Sequence, residues 1–207
     1  LDTHFDQSTI HEYNNGVKCL KSTIYDVAID RYNSLINLHE PFEECVFVEV
    51  FNRSTINTFV DVGAAWGYYS FLCKLHNPTC KVWAFDPDQE MCDNIKKNEP
   101  LNIIGEPNIE AHNEAISESA TTLKSVIESL GVIDLIKIDI QGEGTSALLS
   151  AEERIVDIKN VILGTHGVEH DYCKNILEMS GFDIKLSLRA NEIPIQPDGI
   201  IWADRKE

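Results

Sequence analysis

The chain has 207 residues, 43% of them hydrophobic and 25% charged, a balance typical of one globular domain with a continuous core. No apolar run is long enough to cross a bilayer. Acidic residues outnumber basic ones 34 to 17, and the resulting net charge of −17 repels phosphate backbones and anionic lipid, so neither nucleic acid nor a membrane is an expected partner.

Residues 1–57 precede the regular pattern. The opening stretch LDTHFDQSTIHEYNNG is polar and lacks the apolar centre of a signal peptide. Segments 24–38 and 42–51 have mixed periodicity and read as a helical cover or lid of the same domain, with Pro41 suited to a first helical turn.

From residue 58 strands and helices alternate. Thr58–Val62 is a short apolar strand, and Tyr68, Phe71, Leu72 and Leu75 then share one helical face. A second strand, Lys81–Phe85, ends at Asp86-Pro87-Asp88, and Met91 and Ile95 mark the next helix. Ile109–His112 is a weaker strand before the helical stripe Leu123, Val126, Ile127 and Leu130, which Gly131 closes. VIDLIKIDIQGEG reads as a buried central strand ending near Asp139, and Ser150 with Glu153 as a capping box. NVILGTHG is another buried strand, ending near His166. Asp171 is placed to cap a helix that carries Cys173, Ile176 and Leu177 and stops at Gly181. Phe182, Ile184, Leu186 and Leu188 alternate with polar residues as a half-exposed strand; a loop through Pro194 and Pro197 then leads to a last strand at 199–203. Two strands joined with no room for a crossover helix must be antiparallel.

The predicted class is therefore α/β: an open, mostly parallel sheet with helices on both faces and a C-terminal antiparallel hairpin. Its ligand belongs at the carboxyl ends of the strands. Residues 58–207 form this core and 1–57 its cover. The six cysteines (Cys19, Cys45, Cys73, Cys80, Cys92 and Cys173) have no metal-ligand spacing, which suggests reduced, mostly buried thiols and a cytoplasmic setting.

The first strand-to-helix turn, TFVDVGAAWGYYSF, narrows the ligand. A dinucleotide fingerprint needs a middle glycine where the backbone meets the pyrophosphate, and here that position is Ala65. A phosphate-binding loop ending in Lys-Ser or Lys-Thr is absent. S-adenosylmethionine, a nucleoside with no phosphate, meets the pattern. Asp61 would face its ammonium, the backbone of Gly63, Ala64 and Gly67 its methionine portion, and Asp86, followed by Pro87, its ribose hydroxyls. Tyr68, with Trp66 and Tyr69, would line the same pocket, although Tyr68 also fits the core stripe.

FVDVGAAWGYYSF, VWAFDPD, NEAIS, DLIKIDIQGEG and NVILGTHG occur in the order found in FkbM-type methyltransferases. The chain resembles that class I S-adenosylmethionine-dependent family over residues 40–203. The resemblance implies a Rossmann-like, seven-stranded sheet and methyl transfer to a hydroxyl oxygen, often of a sugar or natural product. It also implies that Glu114-Ala115 borders the adenine and that a glutamate ahead of the first strand (Glu40, Glu43 or Glu44) approaches the cofactor. The sequence departs from the family at Gln141, where glutamate is usual, at Gly144, at Gly164-Thr165-His166 in place of Glu-Ile-His, and in a shortened segment after NEAIS.

Methyl transfer needs the acceptor oxygen in line with the methyl, in a site that excludes water, and an alcohol gains from a base or a metal. His166 is the candidate base, because imidazole titrates near neutrality. Asp139 would orient the acceptor, act as base itself or bind loop amides, and it also borders the cofactor. Glu143 is a partner to either; Glu169 and His170 lie just beyond, within reach of the acceptor or facing solvent. Asp139, Glu143 and His166 are also a candidate divalent-cation set, although no metal is required. The expected activity is O-methylation of a sugar hydroxyl in a glycan or glycoconjugate. The alternatives are a polyketide or other small-molecule hydroxyl, or a cofactor-binding scaffold without turnover. A first residue of Leu1 rather than Met fits a domain of a larger glycan-modifying polypeptide.

Overall fold

The computed structural model describes residues 9–24, 37–102, 109–193 and 198–205. Most of the expected helical cover at 24–38, and the loop through Pro194 and Pro197, lie outside them.

A short antiparallel hairpin opens the described chain, β1 (Ile10–Glu12) with β2 (Lys18–Leu20), where the sequence had suggested only helical cover. Helix α1 (Pro41–Arg53) follows, with Pro41 in its first turn as expected. Then come β3 (Thr58–Val62), α2 (Tyr68–His76), β4 (Lys81–Phe85), α3 (Gln89–Asn102) and β5 (Ile109–His112). The chain continues through α4 (Leu123–Leu130), β6 (Ile133–Ile138), α5 (Gly144–Leu149) and β7 (Ile158–Thr165). It closes with α6 (Glu169–Met179), β8 (Phe182–Leu188) and β9 (Gly199–Arg205).

β3 to β9 form one seven-stranded sheet in the order β5-β4-β3-β6-β7-β9-β8. The pairs among β3 to β7 are parallel, and β9 runs antiparallel to both β7 and β8. This is the Rossmann-like architecture with a terminal hairpin that the alternation of elements implied.

Strand periodicity sorts the core into two layers. Phe59, Leu135, Ile162, Ile200 and Trp202 face the layer containing α1, α2 and the N-terminal hairpin. Val60, Val62, Ile136, Ile138, Val161, Leu163, Ile201 and Ala203 face the layer containing α4, α5 and α6. Lys137 lies one residue beyond Ile136, so alternation turns it toward the α1 side together with Leu135. There Phe47 of α1 packs edge-on against Phe59, at 5.5 Å between ring centroids. The hairpin is held down by two asparagines of α3: Asn102 accepts from Lys18 N (2.8 Å) and donates to Lys18 O (2.7 Å), while Asn98 accepts from Leu20 N (2.8 Å).

Two local expectations change. Ser150 does not open a capping box; its hydroxyl accepts from Leu123 N (2.9 Å) and donates to Ala147 O (2.7 Å), joining α4 to the end of α5. Helix α6 begins at Glu169, ahead of Asp171, which instead pairs with Arg189 at 2.6 Å.

The β3–α2 turn leaves no room at Gly63. Its φ is +79°, and a Cβ there would run into the backbone carbonyl of Asp139 and come within 2.9 Å of Ile140 Cγ2. Gly63→Ala is expected to lower the unfolding free energy by roughly 2 kcal/mol or more, combining a strained φ with overpacking. Gly142→Ala has a similar φ of +71° but open space around the new methyl, and is expected to lose roughly 1 kcal/mol. Urea denaturation of both variants checks the contrast, and equal losses would show that the close approach is unimportant.

Candidate active site

From β3 the chain moves outward to β4 and β5, then returns to the other flank of β3 as β6. Such a reversal opens a crevice at the carboxyl ends of the two adjacent strands. A cavity of about 1010 Å³ lies here, bordered by Gly63 and Ala65 of the glycine turn, Asp86 at the tip of β4, Asp139 and Glu143 after β6, and Glu40 ahead of α1.

The amides of the glycine turn are already engaged. Gly63 N and Ala64 N donate to Phe85 O at 2.8 and 3.1 Å, and Gly67 N donates to Ala64 O at 2.8 Å. Ala65 N donates to Asp86 Oδ2 at 3.0 Å. A pyrophosphate cradle works by presenting free amides, and these four are not free. Asp86 Oδ1 accepts from Asp88 N at 2.9 Å, so the carboxylate is fixed from two sides on the cavity wall. Each of its oxygens keeps a lone pair for a ligand hydroxyl. Asn113 draws the neighbouring strand tip in, donating to Pro87 O at 2.8 Å and Asp86 O at 3.3 Å.

The opposite end of the cavity is organised by Lys137. Its ammonium is 2% exposed and lies 2.9 Å from Glu43 Oε1, 3.1 Å from Asp139 Oδ2 and 4.4 Å from the centre of the Tyr69 ring. Burial opposes the lysine's charge, yet Asp139, Glu43, Glu40 and Asp61 together raise its pKa well above the ordinary value. Burial likewise favours a neutral Asp139, but Lys137 and His166 outweigh it and hold this carboxylate far below its usual range. Glu40 has the His39 Nε2 at 3.9 Å from its Oε2 but no lysine or arginine partner among the described residues. Burial and the Asp139 charge push it up to about 7, with the Tyr69 hydroxyl donating to its Oε2 at 3.0 Å. Donor atoms of Glu40, Glu43 and Asp139 lie within 4.8 Å of one another, and the positive charge among them is the Lys137 ammonium.

His166 stands behind Asp139 with both ring nitrogens engaged. Nε2 is 3.0 Å from Asp139 Oδ1 and Nδ1 is 2.8 Å from Asp198 Oδ1. The two carboxylate hydrogen bonds outweigh burial and raise the imidazole to about 10. A doubly protonated ring clamped at both ends has no lone pair for a substrate proton. The expectation of a His166 base therefore does not fit this geometry; the ring is a bridge joining the tip of β6 to the start of β9. Gly164 makes the bridge possible, because a Cβ there would approach Asp139 Oδ1 to 2.9 Å.

Of the residues expected to hold the cofactor, Gly63, Asp86, Pro87, Glu114, Ala115 and Asp139 line the cavity. Asp61, Ala64, Gly67 and Tyr68 do not. Asp61 is 1% exposed and accepts from Ser70 Oγ at 2.7 Å; burial raises it to about 6 although Lys137 and Ser70 oppose the shift. Ala64 packs into the core, and Gly67 turns the chain into α2 in the left-handed region at φ +90°. The Tyr68 hydroxyl bonds Glu44 Oε1 at 2.8 Å beneath the N-terminal cover. Trp66 does line the cavity, and so does Glu143, at the start of α5. Among the upstream glutamates, Glu40 reaches the cavity while Glu43 pairs with Lys137 and Glu44 accepts from His39 N (2.7 Å) and Glu40 N (3.0 Å).

Glu169 and His170 do not reach the cavity. Glu169 takes Gly144 N (3.1 Å) and His166 N (2.9 Å), and His170 is buried between Thr165 Oγ1 (2.7 Å) and Ser187 Oγ (2.9 Å). The sequence reading missed His39, Ile116, Ser117 and Asp198 in the wall. Asp198 carried no local signal, because its partner His166 lies on another strand. All six cysteines are free thiols, and five of them are buried.

No protein-family model matches the chain, and a search of curated proteins finds no match. Solved structures do share its fold. A ribosomal protein L11 methylase from Lactobacillus delbrueckii subsp. bulgaricus superposes with a TM-score of 0.58 at 19% identity, covering 82% of this chain and 81% of that one. Magnesium protoporphyrin IX methyltransferase from Synechocystis PCC 6803 gives 0.57 at 15% identity, over 81% and 80%. Precorrin-6y C5,15-methyltransferase from Geobacter metallireducens GS-15 gives 0.57 at 14% identity, over 78% and 87%. The chain therefore shares the fold of these methyltransferases.

The bridge has a consequence for pH. A histidine whose pKa rises on folding adds stability in full below its unfolded value, about 6.5, and that contribution fades as pH climbs through the folded value, about 10. The His166 ring is expected to remain doubly protonated at pH 8 by ¹⁵N NMR, and Asp198→Asn to lower its midpoint. A neutral ring at pH 7 in the unsubstituted chain would refute the bridge.

Proposed function

We propose that this chain is an S-adenosylmethionine-dependent O-methyltransferase of the FkbM type, with a sugar hydroxyl of a glycan or glycoconjugate as acceptor. The observation that carries the cofactor reading is the committed glycine turn beside a fixed Asp86: the cavity suits a nucleoside whose ribose is read by a carboxylate and which has no phosphate to cradle. In this reading Asp86 takes the ribose hydroxyls, and Ile116 with the Glu114-Ala115 backbone borders the base. Glu40, with its buried carboxyl, faces the ammonium of the zwitterionic amino-acid end. When bound, the cofactor supplies an electrophilic methyl group on sulfur.

The chain's own residues perform the rest. Lys137 and His166 keep Asp139 ionised, and its fixed carboxylate accepts a hydrogen bond from the acceptor hydroxyl and so orients the oxygen. The methylated hydroxyl is a strong acid until it loses its proton. A carboxylate of low pKa is therefore a sufficient proton acceptor, and an imidazole base is not required. Glu143, on the same wall, gives the acceptor a second hydrogen-bonding partner. The acidic surface supports a saccharide over nucleic acid, because a field from a net charge of −17 repels a phosphate backbone.

Calorimetry is expected to show S-adenosylmethionine binding, with NAD binding much more weakly; preference for NAD would reject the reading. Asp86→Ala is expected to weaken cofactor affinity roughly tenfold or more, the loss of a charged hydrogen-bond acceptor. Asp139→Asn is expected to cut labelled-methyl turnover by about a hundredfold with little change in cofactor affinity. Equal losses of turnover and affinity in Asp139→Asn would remove its role toward the acceptor.

A further inference from the structure

The acceptor end of the cavity presents carboxylates and no available cation. Asp139, Glu143 and Asp198 face it, and among the described residues no lysine or arginine lines the wall. The two nearby cations are engaged: Lys137 lies between Glu43 and Asp139, and His166 between Asp139 and Asp198. His39, the basic ring in the wall, is driven down to about 4 by burial and the Lys137 charge and is neutral at physiological pH.

Backbone donors at the strand tips are committed as well. Gly144 N and His166 N both go to Glu169, Glu143 N goes to Ile140 O, and the glycine-turn amides are closed within their own fold. Gln141 and the neutral His39 ring can donate hydrogen bonds on this wall, but among the described residues no free cation is there to meet an anion.

We infer that the acceptor enters as an uncharged saccharide whose hydroxyls donate to Asp139 and Asp198, and that a sugar still attached to a nucleoside diphosphate is refused. Methylation then follows glycosyl transfer: a reaction that releases the nucleotide must supply the substrate. This inference rests on the saccharide reading above. Its physical basis is the asymmetry between the two ligands. A neutral polyol can donate to the carboxylates of the wall, whereas a diphosphate would lose water beside like charges with no free cation in exchange.

The test offers the full chain labelled S-adenosylmethionine and p-nitrophenyl hexosides, each paired with the uridine diphosphate sugar of the same hexose, with calorimetry of cofactor binding alongside. The hexosides are expected to be methylated at least about tenfold faster. Q141K, which adds an ammonium to the cavity wall, is expected to narrow that ratio roughly threefold. Equal or faster transfer to the nucleotide sugars, or a ratio unmoved by Q141K, overturns the inference while the methyltransferase reading stands. Cofactor binding with transfer to neither series overturns the saccharide reading and this inference together, and failure to bind the cofactor overturns the proposed function itself.

Discussion

A single buried ammonium organises the site. Strand alternation places Lys137 on the side of the sheet covered by α1, where it is only 2% exposed. The charge is tolerable because Glu43 comes from α1, Asp139 follows β6, and the Tyr69 ring face lies beneath. Removing either carboxylate would leave the buried ammonium with one close counter-charge instead of two. The N-terminal segment is therefore tied electrostatically to the central strand, and that tie delivers Glu40 to the cavity.

The two ends of the cavity follow different logic. At the Asp86 end, the turn engages most of its own amides and leaves a carboxylate pinned by Ala65 N and Asp88 N. At the Asp139 end, carboxylates from three separate segments converge, held by Lys137 and the His166 bridge. One end is fixed by backbone geometry within a single strand-to-helix turn, the other by charge pairing between elements distant in sequence. The small residues at Gly63 and Gly164 give both ends their clearance around Asp139.

That difference explains what could be read from the sequence. The strand and helix periodicities gave β3 to β9 correctly, with the antiparallel hairpin following from the short connection before β9. Gly63 and Asp86 were legible because turn chemistry is local. Asp61 and Tyr68 were misplaced for the same reason: proximity to the turn suggested contact, but strand and helix directions point them at Ser70 and Glu44. Asp198 and the engagement of both His166 nitrogens were invisible, since they depend on β7 and β9 lying side by side. The β1–β2 hairpin, three residues per strand, is too short to show a period, and its anchors are asparagines on a helix far along the chain.

Glu169 has a quieter role. Its forked carboxylate takes one amide from the turn after β6 and another from the turn after β7, so two loops that would otherwise move independently share one pivot. Those loops carry Glu143 and His166, and Asp139 is joined to His166 through the ring. This side of the cavity should therefore shift as one stiff panel when a ligand enters, with the Asp139 carboxylate and its supports keeping their mutual spacing.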